Sequence, residues 1–240
     1  IMPLPTIATP TYELELPSTG KPVKYRPFLV KEEKLLVLAL ETEDTKQISN
    51  AIKSVLKNCI QTRGIKVEKL PTFDIEYLFL HIRGKSVGED IEVNLISPDD
   101  GTTNVPVTIN IDEIKIQRDE DHDKQIKLDD TLTMEMKYPS LDEFIKNNFD
   151  FGDDAGVDQS FDLIGSCIDK IYNEEEVWAT ADCTKKEVKE FLEQMNSMQF
   201  KEIEKFFETM PKLSHEVTFI NPKTKKENTV VLEGLSSFFA

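Results

Sequence analysis

Five residues, Gly84-Lys85-Ser86-Val87-Gly88, carry the G-x-S-x-G spacing of a nucleophile elbow. In that device a strand delivers the serine and a helix follows it, so that a strained turn exposes the hydroxyl. The flanking sequence dictates the reverse order. Helix-type sequence over Phe73–Lys85 precedes the serine, and period-two sequence over Ile91–Leu95 follows it. The same residues end like a phosphate loop, but Phe79 stands where that loop needs its first glycine, and the loop must open a helix. A helix C-terminus whose glycines permit left-handed backbone accounts for the pattern without chemistry. A hydrolase built on Ser86 would require a histidine and a carboxylate converging on its hydroxyl.

Other look-alikes fail on their own terms. Asp150-Phe151-Gly152 spells the metal-binding tripeptide of kinases, with neither a glycine-rich loop nor a His-Arg-Asp segment beside it. Asp119, Asp121, Asp123 and Asp130 follow calcium-loop spacing, but Lys124 replaces the turn glycine and Asp130 the bidentate glutamate. A solvated acidic loop is the simpler reading, with weak calcium binding at Asp119–Asp130 left open. His81, His122 and His215 do not cluster with one another or with Cys59, Cys167 and Cys183, so no metal site and no cofactor is expected.

Charge and hydropathy narrow the partners. The 240 residues hold 29 Lys plus Arg against 45 Asp plus Glu, a formal net charge of −16. Such an excess opposes binding to nucleic acid phosphates and to anionic membranes. The longest apolar run, Leu35–Leu40, has the length of a core helix segment rather than of a membrane span. The opening Ile1-Met2-Pro3 has no basic region followed by an apolar stretch, so no secretory signal is expected. Three widely spaced cysteines predict buried thiols in a reducing compartment. At 39% hydrophobic residues the chain can fold.

The elements that must position these residues follow from periodicity. Pro3, Pro5 and Pro10 predict an extended arm over residues 1–10, and residues 12–28 predict a β-hairpin. Helices are expected over Val30–Glu41, over the amphipathic stripe Ile48–Ile60 ending near Gly64, and over Phe73–Lys85. About five short strands, a meander, fill residues 90–137. Helices return over Ser140–Phe149, Gln159–Tyr172 and, as a pair, Lys185–Met210, with Thr184 to Glu187 as a capping box. A hairpin over Glu216–Ile220 and Thr229–Leu232 leads into Gly234 and Leu235. The expected fold is α+β: a helical segment, an antiparallel β meander, a second helical segment and a C-terminal β-hairpin. Four stretches are expected: 1–27, an arm and hairpin; 28–149, helices plus meander; 150–158, an acidic linker; and 159–240, a helical lobe with its hairpin.

Glu92-Val93-Asn94-Leu95-Ile96-Ser97-Pro98 aligns without gaps on Glu216-Val217-Thr218-Phe219-Ile220-Asn221-Pro222. Continued without a gap, Asn104 falls on Asn228 and Val107 on Val231. Duplication and convergent turn chemistry both account for the match.

Several blocks then act together: Lys24 through Lys34, Leu70-Pro71-Thr72-Phe73-Asp74-Ile75-Glu76-Tyr77-Leu78-Phe79-Leu80, Ile82 through Glu89, Met136-Lys137-Tyr138-Pro139, Met210 through His215, and Leu232-Glu233-Gly234-Leu235 with Phe238-Phe239. In content and order they resemble the T-even-type bacteriophage baseplate hub protein family, from about residue 20 onward. The resemblance implies a non-enzymatic subunit of a contractile-tail virion, or a tail assembly factor, that contacts other baseplate hub and tail proteins. An acidic chaperone absent from the mature virion is the alternative. Some relatives carry paired cysteines in both hairpin loops, like zinc ribbons; Ser97-Pro98-Asp99-Asp100 and Asn221-Pro222-Lys223-Thr224 hold none, so core contacts must supply the folding energy instead. The expected partner surfaces are the arm, the junction Arg83, Lys85, Ser86, Gly88 and Glu89, and the tail Leu235, Phe238 and Phe239. For the tail, docking inside the chain is the competing expectation.

Overall fold

The structure, a computed structural model, describes residues 7–146 and 157–238. It is α+β, as the periodicity predicts, and divides into two units. The first comprises the chain up to Val67, then Phe73–Gln117, then the chain from Lys212 on. The second comprises Glu68–Thr72 and Arg118–Pro211.

In the first unit, β1 (Tyr12–Glu15) and β2 (Pro22–Tyr25) form the expected hairpin. Helix α1 (Val30–Leu40) follows, then α2 (Thr45–Cys59). Asp44 caps α2 by accepting the Lys46 and Gln47 amides, satisfying donors that a helix start leaves open. The helix stops at Cys59; Gly64, at φ +85°, shapes a later turn rather than the helix end. Helix α3 (Thr72–Val87) is apolar on most faces and buries Phe73, Ile75, Leu78, Phe79, Leu80 and Ile82. Strands β3 (Asp90–Ile96) and β4 (Asn104–Asn110) pair antiparallel.

Five strands do fall between residues 90 and 137, but they are dealt among three sheets. After the β3–β4 pair, β5 (Lys115–Gln117) joins β10 (Lys212–Ile220), which pairs with β11 (Glu227–Glu233). In the second unit, β6 (Gln125–Lys127), β7 (Thr133–Met136), β8 (Ile168–Tyr172) and β9 (Val177–Ala179) form one antiparallel sheet in that order. Helices α4 (Leu141–Lys146), α5 (Val157–Ser166), α6 (Lys185–Glu193) and α7 (Ser197–Thr209) complete that unit. Thr184 and Glu187 form the capping box that starts α6. The helix expected over Gln159–Tyr172 stops at Ser166, because Ile168-Asp169-Lys170-Ile171-Tyr172 alternates and pairs with β7.

The units also cut across the expected stretches. Pairing of β10 with β5 puts the C-terminal hairpin with the first unit, not with the helices that precede it. Of the linker expected at 150–158, Asp150–Gly156 lies outside the described residues and Val157 already belongs to α5.

Each unit has its own core. In the first, Leu80 of α3 packs with Ile91, Val93 and Ile109 of one hairpin and Leu213, Val217 and Leu232 of the other. In the second, Met134, Met136 and Ile168 from the sheet meet Leu192, Ile203 and Phe206 from α6 and α7. His122 is a half-buried histidine at the edge of that core, with both ring nitrogens engaged. It bridges Thr209 Oγ1 at 2.9 Å and the Tyr138 hydroxyl at 3.0 Å and stacks on the Tyr138 ring. Cys59 and Cys167 are buried as expected, whereas Cys183 is exposed.

The two similar hairpins have equivalent loops. Ser97 accepts the Gly101 amide as Asn221 accepts that of Lys225, both at 2.9 Å, and Gly101 and Lys225 both have φ just above +60°. The second loop is one residue shorter, because Ile96 faces Asn104 while Ile220 faces Glu227. Val107 therefore corresponds to Val230, and Ile109 to Leu232. The ungapped matches of Asn104 with Asn228 and Val107 with Val231 do not survive in space. The tips clasp each other through Asp99, which accepts from Ser97 Oγ at 2.7 Å, Asn221 Nδ2 at 2.8 Å and the Thr224 hydroxyl. Those bonds, Thr224's first and then Asn221's and Ser97's, hold the Asp99 carboxyl down to about 2. A polar clasp thus adds to the core contacts expected to stand in for a metal.

Candidate partner-binding surfaces

Helix α3 organises the first unit, and most of the expected site residues lie at its end. Ser86 donates its hydroxyl hydrogen to the Ile82 carbonyl at 2.6 Å and accepts the Phe28 amide at 2.9 Å. Both roles of the hydroxyl are occupied in tying the start of α1 to α3. Gly84 is a packing glycine: a Cβ there would lie 1.6 Å from Ile111 Cδ1. Gly88 ends the helix at φ +128°, a conformation that side chains disfavour. Lys85 pairs with Glu89, with its ammonium 5.4 Å from the centre of the Tyr12 ring. Arg83 is half-buried, and burial lowers its pKa. The junction is therefore a knot of internal contacts, with Lys85 and Glu89 at its rim.

The described part of the tail, Leu235 and Phe238, docks inside the chain. Phe238 is fully buried in the core of the first unit and Leu235 packs against it. Gly234, at φ +72°, donates its amide to the Leu213 carbonyl at 2.9 Å, and Leu235 donates its own to Glu76 Oε1 at 3.1 Å. Phe238 is corrected from partner anchor to core residue, because its side chain has no face left for a partner. Phe239 lies outside the described residues, as does residue 1–6 of the arm.

Burial raises the Glu76 carboxyl to about 7, only partly opposed by the Leu235 amide. A carboxyl whose folded pKa lies above its unfolded value favours the fold most at low pH. Its contribution is full below about 4.5 and declines as pH rises through 7. Glu76→Gln keeps an acceptor for Leu235 without the charge. We expect it to gain about 1–3 kcal/mol over the parent at pH 8 and almost nothing at pH 4.5, read by urea denaturation. An equal effect at both pH values would contradict this assignment.

Two surfaces carry apolar residues that nothing in the described structure covers. The first is α1. Its buried residues are Glu32 and Ala39, with Leu36 half-buried, while Val37, Leu38 and Leu40 are 50, 51 and 59% exposed and Leu35 and Val30 are exposed too. An ion pair fastens its first turn. Arg26 forks onto Glu32 at 3.0 and 3.4 Å, and Glu32 also accepts the Leu29 amide at 2.8 Å. The Leu35–Leu40 run has the length of a core segment, yet much of it is exposed. Six consecutive apolar residues on a helix cannot all face inward when only one side is packed.

The second surface is in the other unit, around Trp178 on β9, which is 41% exposed beside an apolar groove. Residues this far into the chain gave no sequence signal beyond an apolar pair, Val177-Trp178, after three glutamates.

Among the described residues no three His, Cys, Asp or Glu side chains converge to hold a metal ion. Asp119 and Asp123 instead accept the amides of Asp121 and Gln125, each at 2.9 Å. No described helix is long and apolar enough to cross a membrane.

Set against known families, the chain is a bacteriophage baseplate protein. It belongs to the family described as T4 bacteriophage base plate protein, which matches residues 9–240. No curated protein and no solved structure gives a significant match. Two of the block-to-block contacts meet on α3: Phe28 with Ser86, and Leu235 with Glu76.

Proposed function

We propose that this baseplate protein is a hub subunit or hub assembly factor that works by protein–protein contact and performs no chemistry of its own. The exposed apolar face of α1 carries the proposal. Isolated exposed leucines are ordinary, but Val37, Leu38 and Leu40 put three large exposed apolar side chains on one short helix, a concentration of the kind that marks a contact site. The occupied hydroxyl of Ser86 supports the absence of a nucleophile at the elbow-like motif. The partner is another hub or tail protein. Copies of this chain, each at −16, repel one another.

Leu38→Lys combined with Leu40→Lys tests this reading. Both positions face solvent, so the melting transition should stay within about 0.5 kcal/mol of the parent. Co-purification with hub proteins from infected cells should fall at least tenfold, and plaque yield with it. Undiminished co-purification would sink the proposal. An acidic chaperone absent from the virion would share these contacts, so its signature is different: absence of the protein from purified tails in which hub subunits are present.

A further inference from the structure

The groove beside Trp178 has the form of a strand-docking site. Among the described residues strand β9 is the edge of its sheet and pairs with β8 alone. An edge presents backbone donors and acceptors to any extended chain of matching register. Next to it lies a groove of about 320 Å³ with Leu132, Ile171, Trp178, Val188 and Phe191 along its walls. The groove is thus apolar where a strand laid on β9 would point alternate side chains. Trp178 stands at its mouth, and a half-exposed tryptophan over an apolar pocket is the residue type that most often anchors a protein contact.

Charge says what kind of strand fits. The β8–β9 turn exposes Glu174, Glu175 and Glu176 in succession, and Glu187 stands on the groove rim. Two nearby lysines are paired with carboxylates, Lys170 with Glu135 at 3.0 Å and Lys186 with Glu190 at 3.6 Å. The field at this edge is negative, which favours a basic occupant and disfavours a second copy of an acidic chain.

We infer that β9 accepts an extended, basic segment of a partner protein, which adds as a fifth strand and places an apolar side chain in the groove beside Trp178. This site is independent of the α1 face, and its test does not depend on that reading.

Trp178 is the single tryptophan, so its fluorescence reports this site directly. The probe is a seven-residue peptide alternating valine and lysine, titrated into the full chain. A saturable shift in Trp178 emission is expected. The response should weaken at least tenfold when glutamate replaces the lysines, and likewise when prolines replace two valines, which prevents ladder hydrogen bonding. The variant carrying Glu174→Lys, Glu175→Lys and Glu176→Lys changes only exposed side chains. It should bind the valine–lysine peptide at least tenfold more weakly than the parent. No saturable shift, equal binding of the proline peptide, or unchanged binding by the triple variant would overturn the inference. A concentration-dependent Trp178 shift without peptide, accompanied by dimers in sedimentation, would overturn it in favour of a second copy.

Discussion

Arg26→Ala is expected to destabilise the protein by about 3–5 kcal/mol, enough to unfold a marginal domain. The reason is what remains behind. The Glu32 side chain is 1% exposed, and Arg26 supplies the charge-assisted bonds that make its burial tolerable. Burial on its own raises the Glu32 carboxyl; the Arg26 fork and the Leu29 amide reverse this and hold it below its usual value. A depressed carboxyl contributes stability that is present above about 4.5 and is lost as pH falls through the folded value. In the variant, burial is opposed only by the Leu29 amide and Lys31, so acidification relieves it. The gap between parent and variant should therefore narrow as pH drops from 7 toward 4. Replacing both partners with methionine should cost far less than the single change, because no charge is stranded. Urea denaturation of the three proteins at both pH values measures all of this. A single-variant loss below about 1 kcal/mol at pH 7 would show that the pair does not hold α1.

Phe238→Ala should cost about 3–5 kcal/mol, the range for a fully buried phenylalanine. Phe238 fills the core shared by α3 and the two hairpins, and it is reached only after the Gly234 turn and the Glu76 contact have set the chain direction. Loss of hub binding in this variant should follow loss of folded protein in proportion. The contrast with Leu38→Lys and Leu40→Lys is the informative comparison: one change removes stability and binding together, the other removes binding alone. Thermal melts beside pull-downs separate them. A Phe238→Ala protein of parental stability would return the tail to the surface.

The sequence disclosed elements better than their partners. The Thr184–Glu187 box marked a helix start, because capping is local chemistry that a few residues complete. The α3 helix read as buried because apolar residues occupy most of its faces. The sheets were harder. A three-residue strand such as β9 is too short to show a period, and β5, though read as a strand, pairs with residues about a hundred positions away, which no local pattern encodes. The surfaces were read with the emphasis inverted. Two adjacent phenylalanines looked like an exposed anchor and one is core; a run of leucines looked like core and much of it is exposed. In both stretches hydrophobicity was legible from the residue types, but which side the rest of the chain would cover was not.

The pairing of β5 with β10 also sets a timetable. The first unit cannot close its three-stranded sheet until residues 212–233 have been made, and Phe238 later still. Between the two halves the ribosome must produce all of Arg118–Pro211, which at roughly 5–20 residues per second takes several seconds. Throughout that interval α3 and the β3–β4 hairpin wait with the apolar surface that β10, β11 and Phe238 will cover still bare. The second unit, nearly continuous in sequence, has no such wait. Nascent chains of this baseplate protein therefore pass through a stage in which one unit can be complete while the other remains sticky, and during that stage they are vulnerable to aggregation or open to capture by a chaperone.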